Sequence, residues 1–137
     1  MNEELRGDAL LDALEAGELR VAERTSDGAW KVNAWIKSEL LAIFRASENV
    51  LHGDDGNPLG TFIDKSALPV QRFDLARRVR IVPGGSSVRR GSHLAPGVIC
   101  MPPMYVNVGA FVGAGTMIDS HALVGSCAQI GERVHLS

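Results

Sequence analysis

Counting by six from Val88 lands on Val88, Leu94, Cys100, Val106, Val112, Ile118, Val124, Ile130 and Leu136. Every one of these residues is apolar, and all but Cys100 are valine, isoleucine or leucine. The residue four places on is restricted too: Ser92, Val98, Met104, Ala110, Thr116, Ala122, Ala128 and Val134. A period of six matches neither the 3.6 of a helix nor the two of a long strand. It matches short strands joined by tight corners and stacked as a parallel β-helix, with the aliphatic residue inside and the small one beside a corner. Strands stacked ~4.8 Å apart then satisfy each other's backbone groups from coil to coil. A β-sandwich with coincidental spacing is the competing architecture. Nine hits at one phase in a chain that is 45% apolar argue against it.

Charge divides the chain in the same place. Residues 81–137 carry only Arg89, Arg90, Asp119, Glu132 and Arg133, while nine of the 15 glycines fall there. The turn-like segment Val82-Pro83-Gly84-Gly85-Ser86-Ser87 marks the seam, giving an α+β region over residues 1–81 and an incomplete β-helix over residues 88–137. At 137 residues, two such units are each small and depend on one another.

In the first region, Leu5, Leu10, Leu11 and Leu14 lie near helical spacing within residues 3–17, and Gly17 is the expected stop. Leu19, Val21 and Glu23 alternate with arginines as a short strand. Thr25-Ser26-Asp27-Gly28 is a turn, and Trp30 and Val32 suggest the return strand of a hairpin. Asn33 is placed to cap a helix from Ala34 to about Ala46, whose Ile36, Leu40, Ile43 and Phe44 share one face. Residues 52–58 read as a polar loop, and residues 69–78 as a third helix. Trp30 and Trp35 read as core anchors.

Composition narrows the function. A net charge of −2 and a pI near 6.1 argue against nucleic acid as a partner, because displacing counterions from phosphate needs a basic surface. No apolar run approaches the ~20 residues of a membrane span. The acidic start Met1-Asn2-Glu3-Glu4 is unlike a signal peptide, so a cytoplasmic location is expected. Two cysteines are too few for a disulfide framework or a cysteine-based zinc site, and His93, His121 and His135 have no ligand-like spacing, so no metal is expected. No histidine is positioned to activate Cys127, which reads as structural. Asp119 stands out. It occupies the position after the aliphatic residue, where neighbouring repeats have Gly113, Gly125 and Gly131, and should project outward from its coil.

The segment 117–131, Met-Ile-Asp-Ser-His-Ala-Leu-Val-Gly-Ser-Cys-Ala-Gln-Ile-Gly, closely resembles the signature of the tetrahydrodipicolinate N-succinyltransferase family. So does the segment 104–111. Upstream, residues 13–23, Trp35-Ile36-Lys37-Ser38, residues 40–45, Phe62-Ile63-Asp64-Lys65 and Arg80-Ile81-Val82-Pro83 are similar to the family in order and rough spacing, so the resemblance covers nearly the whole chain. Family members often carry Thr-Trp after the motif aspartate, where this chain has Ser120-His121.

The resemblance implies a left-handed parallel β-helix, an exception to right-handed crossover. It also implies a homotrimer with sites between subunits, and transfer of a succinyl group from succinyl-CoA, as co-substrate and with no bound cofactor, to the amino group of a dicarboxylate in lysine and diaminopimelate synthesis. By the same resemblance Asp119 is the catalytic aspartate and contacts substrate, and Arg80 is the substrate-binding arginine. Acyl transfer to an amine needs a carboxylate to orient the nucleophile or accept its proton, and guanidinium suits a dicarboxylate. The family continues through further coils that carry a partner glutamate and much of the coenzyme A groove. This chain is therefore expected to be its N-terminal part and inactive alone. The alternatives are another hexapeptide acetyltransferase and a non-catalytic β-helical trimerisation module.

Overall fold

The computed structural model describes residues 4–53 and 62–137. Most of the loop expected over residues 52–58 lies outside the described residues. The first region holds helix α1 (Gly7–Glu15), the strands β1 (Ala22–Arg24) and β2 (Trp30–Val32), helix α2 (Ala34–Ala46), and the strands β3 (Asn49–His52) and β4 (Phe62–Lys65).

The apolar periodicity explains both helices. Leu10, Leu11, Ala13 and Leu14 are the buried face of α1, and Ile36, Leu40 and Ile43 that of α2. Gly17, at φ +75°, follows the end of α1 as expected, and its N–H bonds to Leu14 O at 3.1 Å. The hairpin forms with Ala22 opposite Val32 and Arg24 opposite Trp30.

Four details differ from expectation. Asn33 makes no side-chain cap; it is buried, and its Nδ2 donates to Arg20 O at 2.8 Å, tying the hairpin to the start of α2. Trp30 is not a core anchor. It is 53% exposed, with the Arg24 guanidinium 4.8 Å above its ring. Residues 69–78 form no α-helix, only a 3-10 turn at Leu75–Arg77 capped by Asp74. Their backbone is satisfied by the neighbouring coil instead: Gln71 N–H donates to Val88 O at 2.7 Å, and Arg90 N–H donates to Pro69 O at 2.8 Å. The β3–β4 hairpin was not expected; its two strands are separated by residues whose polar composition masks the pairing.

The second region is a parallel β-solenoid. Its strands are β5 (Arg80–Ile81), β6 (Ser87–Val88), β7 (His93–Leu94), β8 (Ile99–Cys100), β9 (Tyr105–Val106), β10 (Phe111–Val112), β11 (Met117–Ile118), β12 (Leu123–Val124), β13 (Gln129–Ile130) and β14 (His135–Leu136). They form three flat faces ordered β6-β9-β12, β7-β10-β13 and β5-β8-β11-β14. The stack thus begins at Arg80, before the turn-rich residues 82–87.

The six-residue rows behave as expected. Val88, Leu94, Cys100, Val106, Val112, Ile118 and Val124 are buried, and Ile130 and Leu136 are partly so. Polar residues at the small position are bonded inside. Thr116 Oγ1 donates to Gly131 O at 2.8 Å and accepts from Val134 N–H at 3.1 Å.

The corners do not fall on the glycines that follow each aliphatic residue. The left-handed residue comes three places after the aliphatic one: Gly91, Gly97, Gly109 and Gly115, then His121, Cys127 and Arg133 at φ +66°, +64° and +54°. Gly113 has no positive φ. It is needed because a Cβ there would lie 2.6 Å from the carbonyl of Gly131 in the next coil.

The two regions are packed against each other. Val108 from the coils joins the core of Leu10, Leu11, Ile36 and Leu40, and Arg90 bridges Asp8 and Asp12 of α1 at 2.9 and 3.0 Å. Arg20 bonds to Gln129 at 3.0 Å and lies 3.7 Å above the Phe111 ring. These contacts dock the solenoid on the helices through its β7-β10-β13 face and the turns after β6 and β9.

Candidate functional site

Strand alternation decides which side chains reach the surface of the four-stranded face. Ile81, Cys100, Ile118 and Leu136 are its inward row, so Arg80, Ile99, Met117 and His135, in register beside them, face outward. Asp119 follows β11 directly and projects outward, its side chain 36% exposed. Its backbone stays in the stack, with Asp119 N–H donating to Leu136 O at 2.8 Å.

Arg80 and Asp119 therefore belong to one face, on strands separated only by β8. At ~4.8 Å per strand, two steps put them about 10 Å apart along the stack. Between them lie the half-buried Ile99, Met101 and Met117. Arg80 is exposed, and its guanidinium has no bonded partner among the described residues. The neighbouring Arg77 is engaged locally, over the Phe73 ring at 4.4 Å and on Gln71 Oε1 at 3.3 Å.

The Asp119 carboxylate is held by two donors. Oδ2 lies 2.9 Å from His135 Nε2, and Oδ1 accepts from Ser120 N–H at 2.8 Å. An ionised carboxylate only accepts, so His135 must donate from Nε2. These bonds, that from His135 first and that from Ser120 second, hold the carboxyl below its ordinary 3.8. Each oxygen keeps a second lone pair free for a ligand donor.

His135, read from the sequence only as a histidine without ligand-like spacing, was not expected beside Asp119, because it is 16 residues away and shares no linear motif with it. The signal lay in the repeat: three six-residue sides close a coil, so 18 residues return to the same face and place 135 beside 117.

The cysteines are poor nucleophiles here. Cys100 is buried among aliphatic residues, which pushes its thiol up to about 11. Burial also raises Cys127, which occupies a left-handed corner against Gly109. Among the described residues no cluster of three or more His, Cys, Asp or Glu could hold a metal ion, and no helix is long and apolar enough to cross a membrane. A separate groove of about 1420 Å³ runs between the strap containing Gln71 and Phe73 and the first-coil residues Ile81 and Val82; Asp119 does not line it.

Residues 8–46 match the family model described as tetrahydrodipicolinate N-succinyltransferase N-terminal. The chain is similar to the 2,3,4,5-tetrahydropyridine-2,6-dicarboxylate N-succinyltransferase of Paramagnetospirillum magneticum, with 48% identity over 134 residues, 95% of this chain and 46% of the relative. The protein of the same name from Polynucleobacter asymbioticus is 44% identical over 133 residues, 94% of this chain and 47% of the relative. That from Xylella fastidiosa is 44% identical over 132 residues, 93% of this chain and 46% of the relative. The family resemblance read from the sequence thus extends along nearly all of the chain, and the chain spans about half the length of the curated relatives it matches.

Proposed function

We propose that this chain supplies the substrate-binding half of a succinyl-transfer site. In that reaction the amino nitrogen of an acyclic α-amino dicarboxylate, the ring-opened form of tetrahydrodipicolinate, attacks the thioester carbonyl of succinyl-CoA. The C–N bond forms, the C–S bond breaks, and the departing thiolate of coenzyme A takes up the proton that the nitrogen loses. The relatives' names support the reaction class. The observation that carries the reading is the pairing on one solenoid face of Arg80, a cation without a bonded partner among the described residues, and an ionised carboxylate, Asp119, across a floor of Ile99, Met101 and Met117.

The chemistry assigns each group a task. Arg80 receives a substrate carboxylate through two parallel N–H···O bonds. Asp119 accepts a hydrogen bond from the amino group and points its lone pair at the thioester. Asp119 orients the amine and stabilises the positive charge that develops on nitrogen. The assembly we propose is a trimer: the outward rows of the solenoid are weakly polar, with Leu123 66% exposed, and such surfaces mark subunit contacts.

Thiol release from succinyl-CoA in the presence of tetrahydrodipicolinate tests the reading. It is measured on this chain and on a chimera in which the chain replaces the matching half of the Paramagnetospirillum relative. The chimera is expected to be active and the chain by itself inactive. Asp119→Asn in the chimera is expected to lower kcat roughly 10²-fold, the cost of a misplaced reactant. A folded chimera whose rate is untouched by Asp119→Asn would remove Asp119 from the reaction.

A further inference from the structure

We infer that His135 is the positioning residue of this site, holding the Asp119 carboxylate in a single orientation off the coil face so that its remaining lone pairs meet the substrate's amino group. The inference rests on the acyl-transfer reading for its purpose, and on the His135–Asp119 contact for its geometry.

Asp119 stands at the end of a two-residue strand, where the chain turns toward the left-handed residue His121. Alone on such a corner, a carboxylate rotates about both side-chain torsions. Ser120 N–H holds one oxygen, but a contact to the next residue's amide leaves the carboxylate plane free to swing. The bond from His135 Nε2 to Oδ2 arrives from the adjacent strand of the same sheet and gives the carboxylate a second fixed point.

His135 is itself set by the stack. Its strand pairs with β11, with Met117 opposite His135 and Ile118 opposite Leu136, and burial of Ile118 fixes that register. A one-residue slip would turn Leu136 outward and carry the imidazole inside.

The surroundings contain few competitors for Asp119. From β8 and the residue after it, the facing side chains are Ile99 and Met101, with Cys100 turned inward. The titratable residue on its own turn is His121, which is exposed and whose backbone N–H donates to Pro103 O. On the loop before β14, Arg133 is paired with Glu132 at 3.1 Å. His135 is thus the group that orients Asp119.

The arrangement makes a distinction that a merely structural histidine would not. A residue that fills space can be replaced by any side chain of its size. A positioning donor can be replaced only by another donor. His135→Gln keeps an N–H able to reach the carboxylate, whereas His135→Leu keeps bulk and removes the donor.

The test has two arms. In the first, the Asp119 side-chain carboxyl carbon is followed by NMR through an acid titration of this chain, as wild type, His135→Gln and His135→Leu. The midpoint is expected to rise in His135→Leu and to stay near wild type in His135→Gln. An unchanged midpoint in a folded His135→Leu chain would overturn the inference. In the second arm, the same substitutions are read kinetically in the active chimera. His135→Leu is expected to lower kcat roughly 10- to 100-fold with little change in KM and to move the acid limb of the pH–rate profile upward, with partial rescue by His135→Gln. An unchanged kcat and pH profile would also overturn it. Normal turnover by Asp119→Asn together with a shifted NMR midpoint in His135→Leu would sink the acyl-transfer role of Asp119 and leave its orientation by His135 standing.

Discussion

Arg89 Nη2 lies 2.7 Å from both carboxylate oxygens of Asp64, joining the first coil to the β3–β4 hairpin. The arginine side chain is 11% exposed and the aspartate 39%. Arg89 Nη1 also donates to Asn107 at 3.1 Å, the guanidinium lies 5.1 Å from the Phe44 ring, and its Nε is buried without a partner among the described residues. One cation thus ties together the hairpin, helix α2 and two successive coils.

Because Asp64 keeps contact with solvent, losing Arg89 strands it less severely than a fully buried ion would be stranded. Arg89→Met is expected to cost about 1.5–3 kcal/mol, the range for hydrogen bonds to charged groups. Urea unfolding of Arg89→Met, Asp64→Asn and the double variant measures the coupling. Additive effects of the two substitutions would show that the pair does not join the regions energetically.

Gly113 is expected to reject even one methyl group. Its Cβ would fall 2.6 Å from Gly131 backbone atoms, and neither partner is a flexible side chain. Gly113→Ala must separate two coils locally, at about 1–3 kcal/mol, typical of overpacking. Gly125→Ala meets nothing within 4 Å and serves as the control. Equal melting temperatures for the two variants would contradict the close coil contact.

Arg80→Lys keeps the charge and loses the two-pronged geometry. In the active chimera it is expected to raise the KM for the dicarboxylate about tenfold or more, with kcat much less affected. A fall in kcat at unchanged KM would instead place Arg80 at the reacting centre.

Acid should loosen the last coil through Asp119. Its carboxyl is held below 3.8 in the folded chain, so the pairing adds stability that is complete above the unfolded value. That contribution is lost as pH falls through the lowered folded value. Exchange of the Asp119 amide, which bonds to Leu136 O, is expected to speed up in that acid window beyond its intrinsic pH dependence. The extra acceleration should be absent in Asp119→Asn. Its persistence in that variant would assign the loosening to other carboxylates.

The sequence by itself determined the elements whose side chains repeat one environment. Each coil offers the same buried slot, so Val88, Val106 and Val124 write the solenoid period directly into the chain, and Ile36, Leu40 and Ile43 do the same for α2. The outward placement of Asp119 was legible as a carboxylate in a row of glycines. Tertiary structure decided what depends on partners far along the chain. Residues 69–78 gave up helical bonds for bonds to the first coil, Asn33 left its cap for Arg20, and Gly113 answers to Gly131 in the following coil. The meeting of Asp119 with His135 belongs here too, as does that of Arg89 with Asp64, because a hydrogen bond needs its two atoms within about 3 Å, and only the closed coil and the docked hairpin bring them that near.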